Sequence, residues 1–500
     1  MKRILFVLML ASAFAGVVPA QKPQPAPTSP VATRKAPAVP YVTRVLPNGL
    51  EIIVYPDSGV PLVTVELAVR TGSFTEPPEL NGLSHLFEHM IFKPNMARLV
   101  GQCEAALRQG PLNEYGQRIC SGALNLKSEI GDTSYLNKID QIGIVNNAET
   151  HEEVVNYYCT TTAEHVATSM RFIRDSVRFP SFDQEDFEGE RQVVLAELDR
   201  HESEPGLALQ NTMMEKLFYK YPSRKQPGGT RETVSTATIA KMQLIRSRYY
   251  IPNNSAIIVT GAVDPEAIFK LATDNFADWK RGPDPFEQFP MVKHPALEKS
   301  EGFVVERPVS NLLIQIGWHG PSIGEDNAST YAADVFSYIV GQADSRFQRA
   351  MIDSKLAVAA DVHYYTQRNT GPIRITLVPT PGNEKAALKR LYDELAQFTD
   401  PKYFTDEELE NAKSLLEAED LYRREKLSSY SQVMSFWWSS TGSEYYRGYY
   451  ENLRAVSRKD INNYINRYII GKPRIGVALI SPENQQQVKL TGNDLIGGAK

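Results

Sequence analysis

One five-residue stretch, His85-Leu86-Phe87-Glu88-His89, constrains the fold of this chain more than any other. Residues four apart on a helix lie one turn above each other, so a helix here presents both imidazoles to one point. Two imidazole nitrogens on one rigid face can bind a divalent ion such as zinc. Glu88 lies at the edge of that face, where its carboxylate can take a proton from water held by the ion.

A structural role is the alternative, because histidines on apolar helices more often pack in cores or interfaces than bind ions. The chain has only eight histidines, however, and two of them stand at helical spacing with a glutamate between them. The stretch is also the reverse of the zinc-protease sequence His-Glu-x-x-His, an arrangement known as an inverted zincin. We therefore predict a metal site in which His85 and His89 are ligands and Glu88 is the general base.

A second predicted helix follows residues 180–183 and carries two carboxylates that suit this site. Glu190 and Glu197 are seven residues apart, which is two helical turns, so both point the same way. We expect Val193 and Val194, between them, to face inward. An ion held by two histidines lacks one protein ligand, and Glu197 can supply it and leave the fourth position to water.

The same helix has a simpler interpretation as a solvent-exposed acidic helix. Arg191 and Arg200 are close enough in sequence to form ion pairs with its carboxylates. On this helix alone the two interpretations are equally good. The three cysteines, Cys103, Cys120 and Cys159, are too few for a thiolate metal cluster. A zinc ion would therefore need histidine and carboxylate ligands.

Length, charge and the N-terminus limit the class of protein. Five hundred residues can bury a large core, and a net charge of −5 without a basic stripe argues against nucleic acid as a partner. Lys2 and Arg3 precede an apolar run that ends in small residues before Gln21, which predicts a signal peptide at 1–20. Residues 21–40 are proline-rich and predict an extended tether. We therefore predict an exported protein, periplasmic or secreted, with no transmembrane segment.

The first folded segment predicts a β-sheet. Residues 42–46 and 50–55 flank Asn48-Gly49, which is a strong hairpin signal. Residues 63–69 alternate in polarity as a half-buried strand does. Residues 93–130, in contrast, contain four glycines and predict an irregular segment.

Together these motifs resemble the pitrilysin/insulinase family, especially an exported bacterial member of its processing-peptidase-like branch. The similarity lies in residues 82–93 around the two histidines, in 190–197 on the second helix, in 147–150 and in 229–232. It covers nearly the whole chain after the tether.

The resemblance implies a role for each site residue. Glu197 takes the position of the third ligand to Zn²⁺, and Glu190 that of an acidic helper that assists catalysis without binding the ion. Asn147 and Ala148 take positions on a strand along which the family binds its substrate.

The second half of the chain looks like a degenerate copy of the first, as the tandem repeat of the family implies. Arg248-Tyr249 and Arg467-Tyr468 correspond, 219 residues apart (467 minus 248). The implied fold is α+β, with two homologous domains that are each a mostly antiparallel sheet covered by helices on one face. We expect a catalytic zinc-binding domain at 41–275, a linker at 276–300, and at 301–500 a second domain without the zinc motif.

Two features depart from the family pattern. His89 and Glu197 are further apart than usual, which we attribute to a surface insertion at about 94–130 that shapes access to the site. An oxidising compartment would allow Cys103 and Cys120 to pair across this insertion.

The second departure concerns substrate binding. Met351 and Val358 stand where the family has an Arg and a Tyr that grip the substrate backbone. Neither side chain donates a hydrogen bond, so help to a developing oxyanion is missing from this chain. Tyr364, Tyr365 or Arg349 could substitute, but their spacing does not match.

From these residues and the resemblance we predict a zinc metalloendopeptidase that hydrolyses peptides or unfolded segments inside a chamber. Family members build the chamber from four such domains, and this chain supplies two. We predict a heterodimer with a paired homologous subunit that carries the Arg/Tyr pair, with a homodimer as the alternative. A peptide-holding or processing-complex subunit with little hydrolytic activity is the second functional hypothesis.

Overall fold

The computed structural model describes residues 39–137 and 139–498. The predicted signal peptide at 1–20 lies outside the described residues, as does the tether at 21–40 apart from its last two positions.

Strands in the described part of the chain form two sheets. The strands of the first sheet are β1 Val42–Val45, β2 Glu51–Pro56, β3 Leu62–Val69, β4 Val145–Thr150, β5 Val155–Thr162 and β6 Ser255–Gly261. Those of the second are β7 Glu301–Glu306, β8 Leu313–His319, β9 Ala357–Tyr364, β10 Pro372–Pro379 and β11 Ile475–Ile480. The first sheet has the order β1-β2-β6-β3-β5-β4, and the second has the order β7-β11-β8-β10-β9.

Helices connect and cover these strands. Those before the second sheet are α1 Leu83–Ile91, α2 Met96–Gln109, α3 Glu114–Asn125, α4 Lys127–Ile130, α5 Val166–Arg178, α6 Gln184–Ser203, α7 Pro205–Leu217, α8 Arg231–Ser235, α9 Ile239–Tyr249, α10 Pro265–Phe276 and α11 Pro285–Gln288. Those that follow are α12 Asn327–Gly341, α13 Arg346–Gln348, α14 Glu384–Leu395, α15 Asp406–Arg424, α16 Leu427–Thr441, α17 Ser443–Arg447, α18 Tyr449–Ala455, α19 Arg458–Tyr468, α20 Pro482–Val488 and α21 Gly492–Leu495. No helix in residues 39–137 or 139–498 is both long and apolar enough to span a membrane.

The two sheets share one topology. In the first sheet β2 pairs in parallel with β6, and in the second β7 pairs in parallel with β11, while the other pairs in both sheets are antiparallel. The first sheet differs by one added edge strand, β1. The predicted α+β class, with two similar and mostly antiparallel sheets covered by helices, is therefore confirmed. The domain limits at 41–275, 276–300 and 301–500 stay predictions.

The predicted hairpin forms between β1 and β2. The Leu46 amide donates to the Leu50 carbonyl across the turn, and Gly49 has a φ of +91°, which favours glycine. The Asn48 amide donates to the Phe276 and Trp279 carbonyls, which ties the turn to the end of α10.

Central strands of each sheet are covered on both faces because each half of the chain packs a helix on the sheet of the other. One face of β3 packs in the core of the first half, and its opposite face meets α16 from the second half. In return, α7 from the first half packs Leu209, Met213 and Leu217 on the apolar face of β11. The prediction of a half-buried strand at 63–69 is therefore wrong, since every residue from Val63 to Val69 is buried. The covering helix is remote in sequence, so the strand pattern could not reveal it.

The prediction of an irregular segment at 93–130 is also wrong. The segment folds as the helices α2 and α3, each begun by an asparagine whose side chain caps the first turn. A disulfide between Cys103 and Cys120 joins the two helices, and Cys159 is free and buried. The disulfide and a small separate core, which includes Val100 and Ala123, offset the cost of glycines inside helices.

Candidate metal centre

The start of α1 fixes the direction in which the two histidines point. The buried Glu76 carboxylate accepts the Gly82 amide at 2.8 Å and the Ser84 amide at 2.6 Å. These bonds satisfy amides that the first turn of a helix leaves unpaired. One face of α1 packs in the core of the first half, which turns His85 and His89 towards α6.

The second helix, α6, begins at a capping aspartate, Asp183, whose carboxylate accepts two backbone amides of the first turn. Phe187 and Val194 are buried and hold α6 against the core. The expectation that Val193 faces inward is wrong, because its side chain is 43% exposed. Successive helical residues diverge by about 100°, so only one of two adjacent valines can face the core.

Three potential ligand atoms converge between α1 and α6. The Glu197 Oε2 atom lies 3.7 Å from His85 Nε2 and 3.6 Å from His89 Nε2. One ligand atom from each of the three residues lies within 4.8 Å of the other two. These separations are too long for hydrogen bonds, whereas ligands about 2.1 Å from a tetrahedral ion lie about 3.4 Å apart. Two imidazoles and a carboxylate are also ligands that zinc accepts, so the three residues fit a zinc ion.

The two histidines have different surroundings. Burial lowers the pKa of His85 to about 4, which keeps this imidazole neutral, and its Nδ1 atom has no hydrogen-bond partner in residues 39–137 and 139–498. His89 Nδ1 lies 2.9 Å from Glu190 Oε2, and Lys93 Nζ lies 2.5 Å from the other Glu190 oxygen. Burial acts to lower the pKa of His89, but the hydrogen bond with Glu190 and the negative charge of Glu197 outweigh it and raise the pKa to about 9. Glu190 thus orients the His89 ring, as carboxylates behind metal-ligating histidines do.

Glu88 is a buried carboxylate beside this cluster. It is 8% exposed, and burial raises its pKa to about 6. The Thr150 hydroxyl, at the end of β4, donates to Glu88 Oε2 at 2.8 Å. The role of Thr150 was not predicted, since only the folded chain brings the end of β4 next to α1.

Asn147 and Ala148 lie on β4, which is the edge strand of the first sheet. Ala148 is buried against the core, whereas Asn147 is exposed. Within the described residues β4 pairs on one side with β5, and its other backbone edge is unpaired.

The two positions at which the family resemblance implies an Arg and a Tyr differ in their burial. Met351 is fully buried, whereas Val358 is 62% exposed on the edge strand β9. The guanidinium of Arg349 and the hydroxyl of Tyr364 both donate to backbone carbonyls of the second half. Both side chains are therefore engaged within the second half, and Tyr364 is also buried.

Comparisons with known families and proteins agree with this geometry. The family model described as Insulinase (Peptidase family M16) matches residues 52–101 and 126–230. The model described as Peptidase M16 inactive domain matches residues 236–416. Together they cover more than half of the chain, and most of α2 and α3 falls in the unmatched gap.

Two proteins with sequences similar to this chain are named as zinc proteases. The chain is similar to the zinc protease PqqE of Helicobacter pylori, with 21% identity over 62% of this chain and 63% of that relative. It is 23% identical to an uncharacterized zinc protease of Rickettsia felis, over 77% of this chain and 84% of the relative.

Solved structures share the fold. A protease from Helicobacter pylori superposes with a TM-score of 0.73 at 19% identity, over 89% of this chain and all of that one. The periplasmic protease PqqL from Escherichia coli has a TM-score of 0.69 at 15% identity, and this chain spans 50% of its length. On the family models and these relatives, the chain belongs to the insulinase family of peptidases, family M16.

Proposed function

We propose that the protein is a zinc-dependent endopeptidase that hydrolyses peptides or unfolded segments. The observation that carries the proposal is the convergence of His85, His89 and Glu197 next to the buried Glu88 carboxylate. A solvent-exposed acidic helix, the simpler interpretation of α6, would have no reason to direct Glu197 at two imidazoles.

The side chains divide the chemistry between them. His85, His89 and Glu197 would hold Zn²⁺, which supplies Lewis-acid polarisation of a carbonyl and lowers the pKa of water. Glu88 accepts the proton of the attacking water and delivers it to the leaving amine. Thr150 holds the Glu88 carboxylate in position, and Glu190 orients His89.

The substrate is proposed to bind as an added strand beside β4, where Asn147 and Ala148 lie. An unpaired strand edge offers backbone donors and acceptors to an extended chain. An extended substrate cannot be part of a compact fold, which favours peptides and unfolded segments.

The test of this function is the substitution Glu88→Gln in the zinc-loaded full chain. The variant and the unmodified protein should each bind one zinc per chain, and the variant should lose at least about 10²-fold in kcat/KM for a quenched fluorescent peptide. Glu79→Gln, an exposed glutamate before α1, is the matched control and should keep full activity. Undiminished cleavage by Glu88→Gln would remove Glu88 from the mechanism.

We further propose that a paired homologous subunit completes the chamber and supplies the Arg/Tyr pair. The support is that Met351 is buried and Val358 is apolar, so neither position offers a hydrogen-bond donor. Light scattering after size-exclusion chromatography of the single chain tests this. A stable and fully active homodimer would contradict the heterodimer.

A peptide-holding subunit with little hydrolysis is the second candidate, favoured by the same missing donors. Zinc content and peptide cleavage, measured with and without the paired subunit, distinguish the two functions. Bound zinc with peptide binding but no cleavage in either state would support the holding role.

We also propose export to the periplasm, on the basis of the N-terminal sequence pattern and the periplasmic relative. N-terminal sequencing of the protein from a periplasmic fraction should begin at Gln21. A chain that retains Met1 in the cytosolic fraction would contradict export.

A further inference from the structure

A cavity of about 460 Å³ lies between the two halves of the chain. The helices α12, α15 and α16 and the end of β9 form most of its wall, and Glu149 and His151 complete the wall from the first half. Its volume is in the range of pockets that bind small ligands. Glu149 and His151 flank Thr150, which bonds to Glu88 on one face of the sheet, whereas Glu149 contacts Gln432 of α16 on the other face. The cavity therefore lies next to β4, on the face opposite Glu88.

The wall of the cavity is largely aromatic. Tyr365 packs against Phe436 with ring centroids 6.0 Å apart, and Trp437 packs against Tyr449 at 4.8 Å. Aromatic faces carry partial negative charge and attract cations. The wall therefore favours a ligand with a positive charge over one with a negative charge.

Asp334, on α12, is the acidic group of the cavity that lacks a basic partner. The Tyr449 hydroxyl donates to its carboxylate at 2.6 Å, and no ion pair joins it to a basic side chain of the described residues. Burial raises the pKa of Asp334 to about 7. A buried carboxylate costs folding free energy unless a cation or further hydrogen-bond donors pair with it.

The other ionisable groups of the cavity either pair with a neighbouring side chain or are uncharged near neutral pH. Glu149 accepts a hydrogen bond from Gln432 at 2.9 Å and lies 3.3 Å from His151. Two more acids are paired along α15, Glu419 with Arg423 and Asp420 with Arg424. Burial lowers the pKa of His363, which keeps that ring uncharged near neutral pH.

The cavity is the counterpart, in the second half, of the metal centre in the first. α12 packs against β9, α15 and α19, as α1 packs against β4, α6 and α9. Leu416, which lines the cavity, follows Glu197 by the same 219 residues that separate Arg248 from Arg467 (416 minus 197). A leucine cannot bind an ion, so the second half has no carboxylate at the position that corresponds to Glu197. A carboxylate from another position, Asp334, lines the cavity instead.

We propose that this space, the Asp334 cavity, binds the cationic end of a lysine or arginine side chain of a peptide lying along β4. The inference rests on the proposed function, because it assumes a peptide at that strand edge. An ammonium or guanidinium group pairs with the Asp334 carboxylate and packs on the aromatic wall. A neutral apolar side chain would leave the carboxylate with the Tyr449 hydroxyl as its one hydrogen-bond donor among the described residues and with no positive charge beside it, so the cavity selects for charge.

Binding is measured with a cleavage-deficient protein so that affinity can be read separately from turnover. The zinc-loaded full chain with Glu88→Gln is titrated into fluorescein-labelled nonapeptides of alanine and glycine that carry one arginine, moved through every position. Matched peptides carry citrulline, which has nearly the same shape and no charge. At one or two positions the arginine peptide should bind at least about tenfold more tightly than its citrulline counterpart.

The variant Asp334→Asn should reduce this preference to about onefold, because asparagine still accepts from Tyr449 but carries no charge. Asp393→Asn, at an exposed site on α14, is the matched control and should keep the preference. If Asp334→Asn does not fold, Ser337→Met, which fills the cavity from α12, should remove the preference instead.

Three results would overturn the proposal. The first is equal binding of arginine and citrulline peptides at every position, and the second is a preference that survives both cavity variants. The third is Asp334-dependent binding of free agmatine without any preference among peptides. A different result would separate the two proposals. If the protein prefers arginine peptides but the unmodified chain cleaves none of them, the endopeptidase function is contradicted and the cavity assignment stands.

Discussion

A buried glutamate between the two halves should make the protein less stable than a glutamine at the same position. Glu66, on β3, is fully buried, and neither of its carboxylate oxygens has a hydrogen-bond partner among the described residues. It faces Ser431 and Ser435 of α16, whose hydroxyls donate to carbonyls of their own helix. In the part of the chain that the structure describes, the Oδ1 atom of the neighbouring Asn156 also lacks a hydrogen-bond donor. Burial raises the pKa of Glu66 to about 7, although these three neighbours oppose the rise.

The magnitude follows from the difference between folded and unfolded pKa values. Between pH 4.5 and about 7 the folded chain holds a proton on Glu66 that the unfolded chain has released, so stability falls as pH rises through this range. One pKa unit corresponds to about 1.4 kcal/mol, so the cost above pH 7 is at most about 3 kcal/mol. Glu66→Gln keeps the shape, removes the titration, and places an amide donor near Asn156 Oδ1.

Unfolding in urea at pH 8 and at pH 5 measures the effect. Glu66→Gln should raise the free energy of unfolding at pH 8 by up to about 3 kcal/mol, and the gain should fall to about 1 kcal/mol or less at pH 5, which is close to the unfolded pKa of 4.5. Glu76→Gln is the contrasting control. Burial also raises the pKa of Glu76 to about 7, but its two oxygens accept two backbone amides, and glutamine can replace only one. That variant should lose about 1–3 kcal/mol at pH 5, and the loss should be smaller at pH 8, where the raised pKa of Glu76 already lowers the stability of the unmodified protein.

The reasoning would be refuted if Glu66→Gln were less stable than the unmodified protein at pH 8. It would also fail if the gain in stability were the same at both pH values, because the effect would then not come from the charge of Glu66.

Three further predictions concern the metal centre and the insertion. Glu197→Gln should weaken zinc binding by more than about 100-fold in a chelator competition, and unchanged affinity would exclude Glu197 as a ligand. Glu190→Gln should weaken it by only about 10–100-fold, because Glu190 orients His89 without touching the ion; a complete loss would contradict that role. Cys103→Ser with Cys120→Ser should lower the stability of α2 and α3 by up to about 3 kcal/mol. Trypsin should then cut between residues 96 and 125 first, and unchanged protease resistance would show that the helices pack without the disulfide.

The parts of the site that sequence could predict depend on local periodicity. His85 and His89 are one turn apart on α1, and Glu190 and Glu197 are two turns apart on α6, so helical geometry alone aligns each pair. That the two helices meet could be inferred only from the family resemblance. The contact between Thr150 and Glu88 joins residues 62 positions apart and left no local signal.

The parts that sequence could not predict depend on partners remote in the chain. The alternation in β3 predicted an exposed face, but α16, more than 350 residues later, covers that face. In the segment 93–130, glycines predicted irregular structure because their helix propensity is low. A disulfide and a small separate core outweighed that propensity.

Because each half covers the sheet of the other, the second half also supports the proposed catalytic site, although it holds none of the proposed ligands. Gln432, on α16, donates to the Glu149 carboxylate at 2.9 Å, and Thr150, the next residue, donates to Glu88. The position of the proposed general base therefore depends on a helix that begins 339 residues after it (427 minus 88). The duplicated half has lost the zinc motif, but through α16 it supports β4, and through α12 and α15 it encloses the space beside that strand. The second half therefore supports both the proposed general base and the proposed substrate-binding edge.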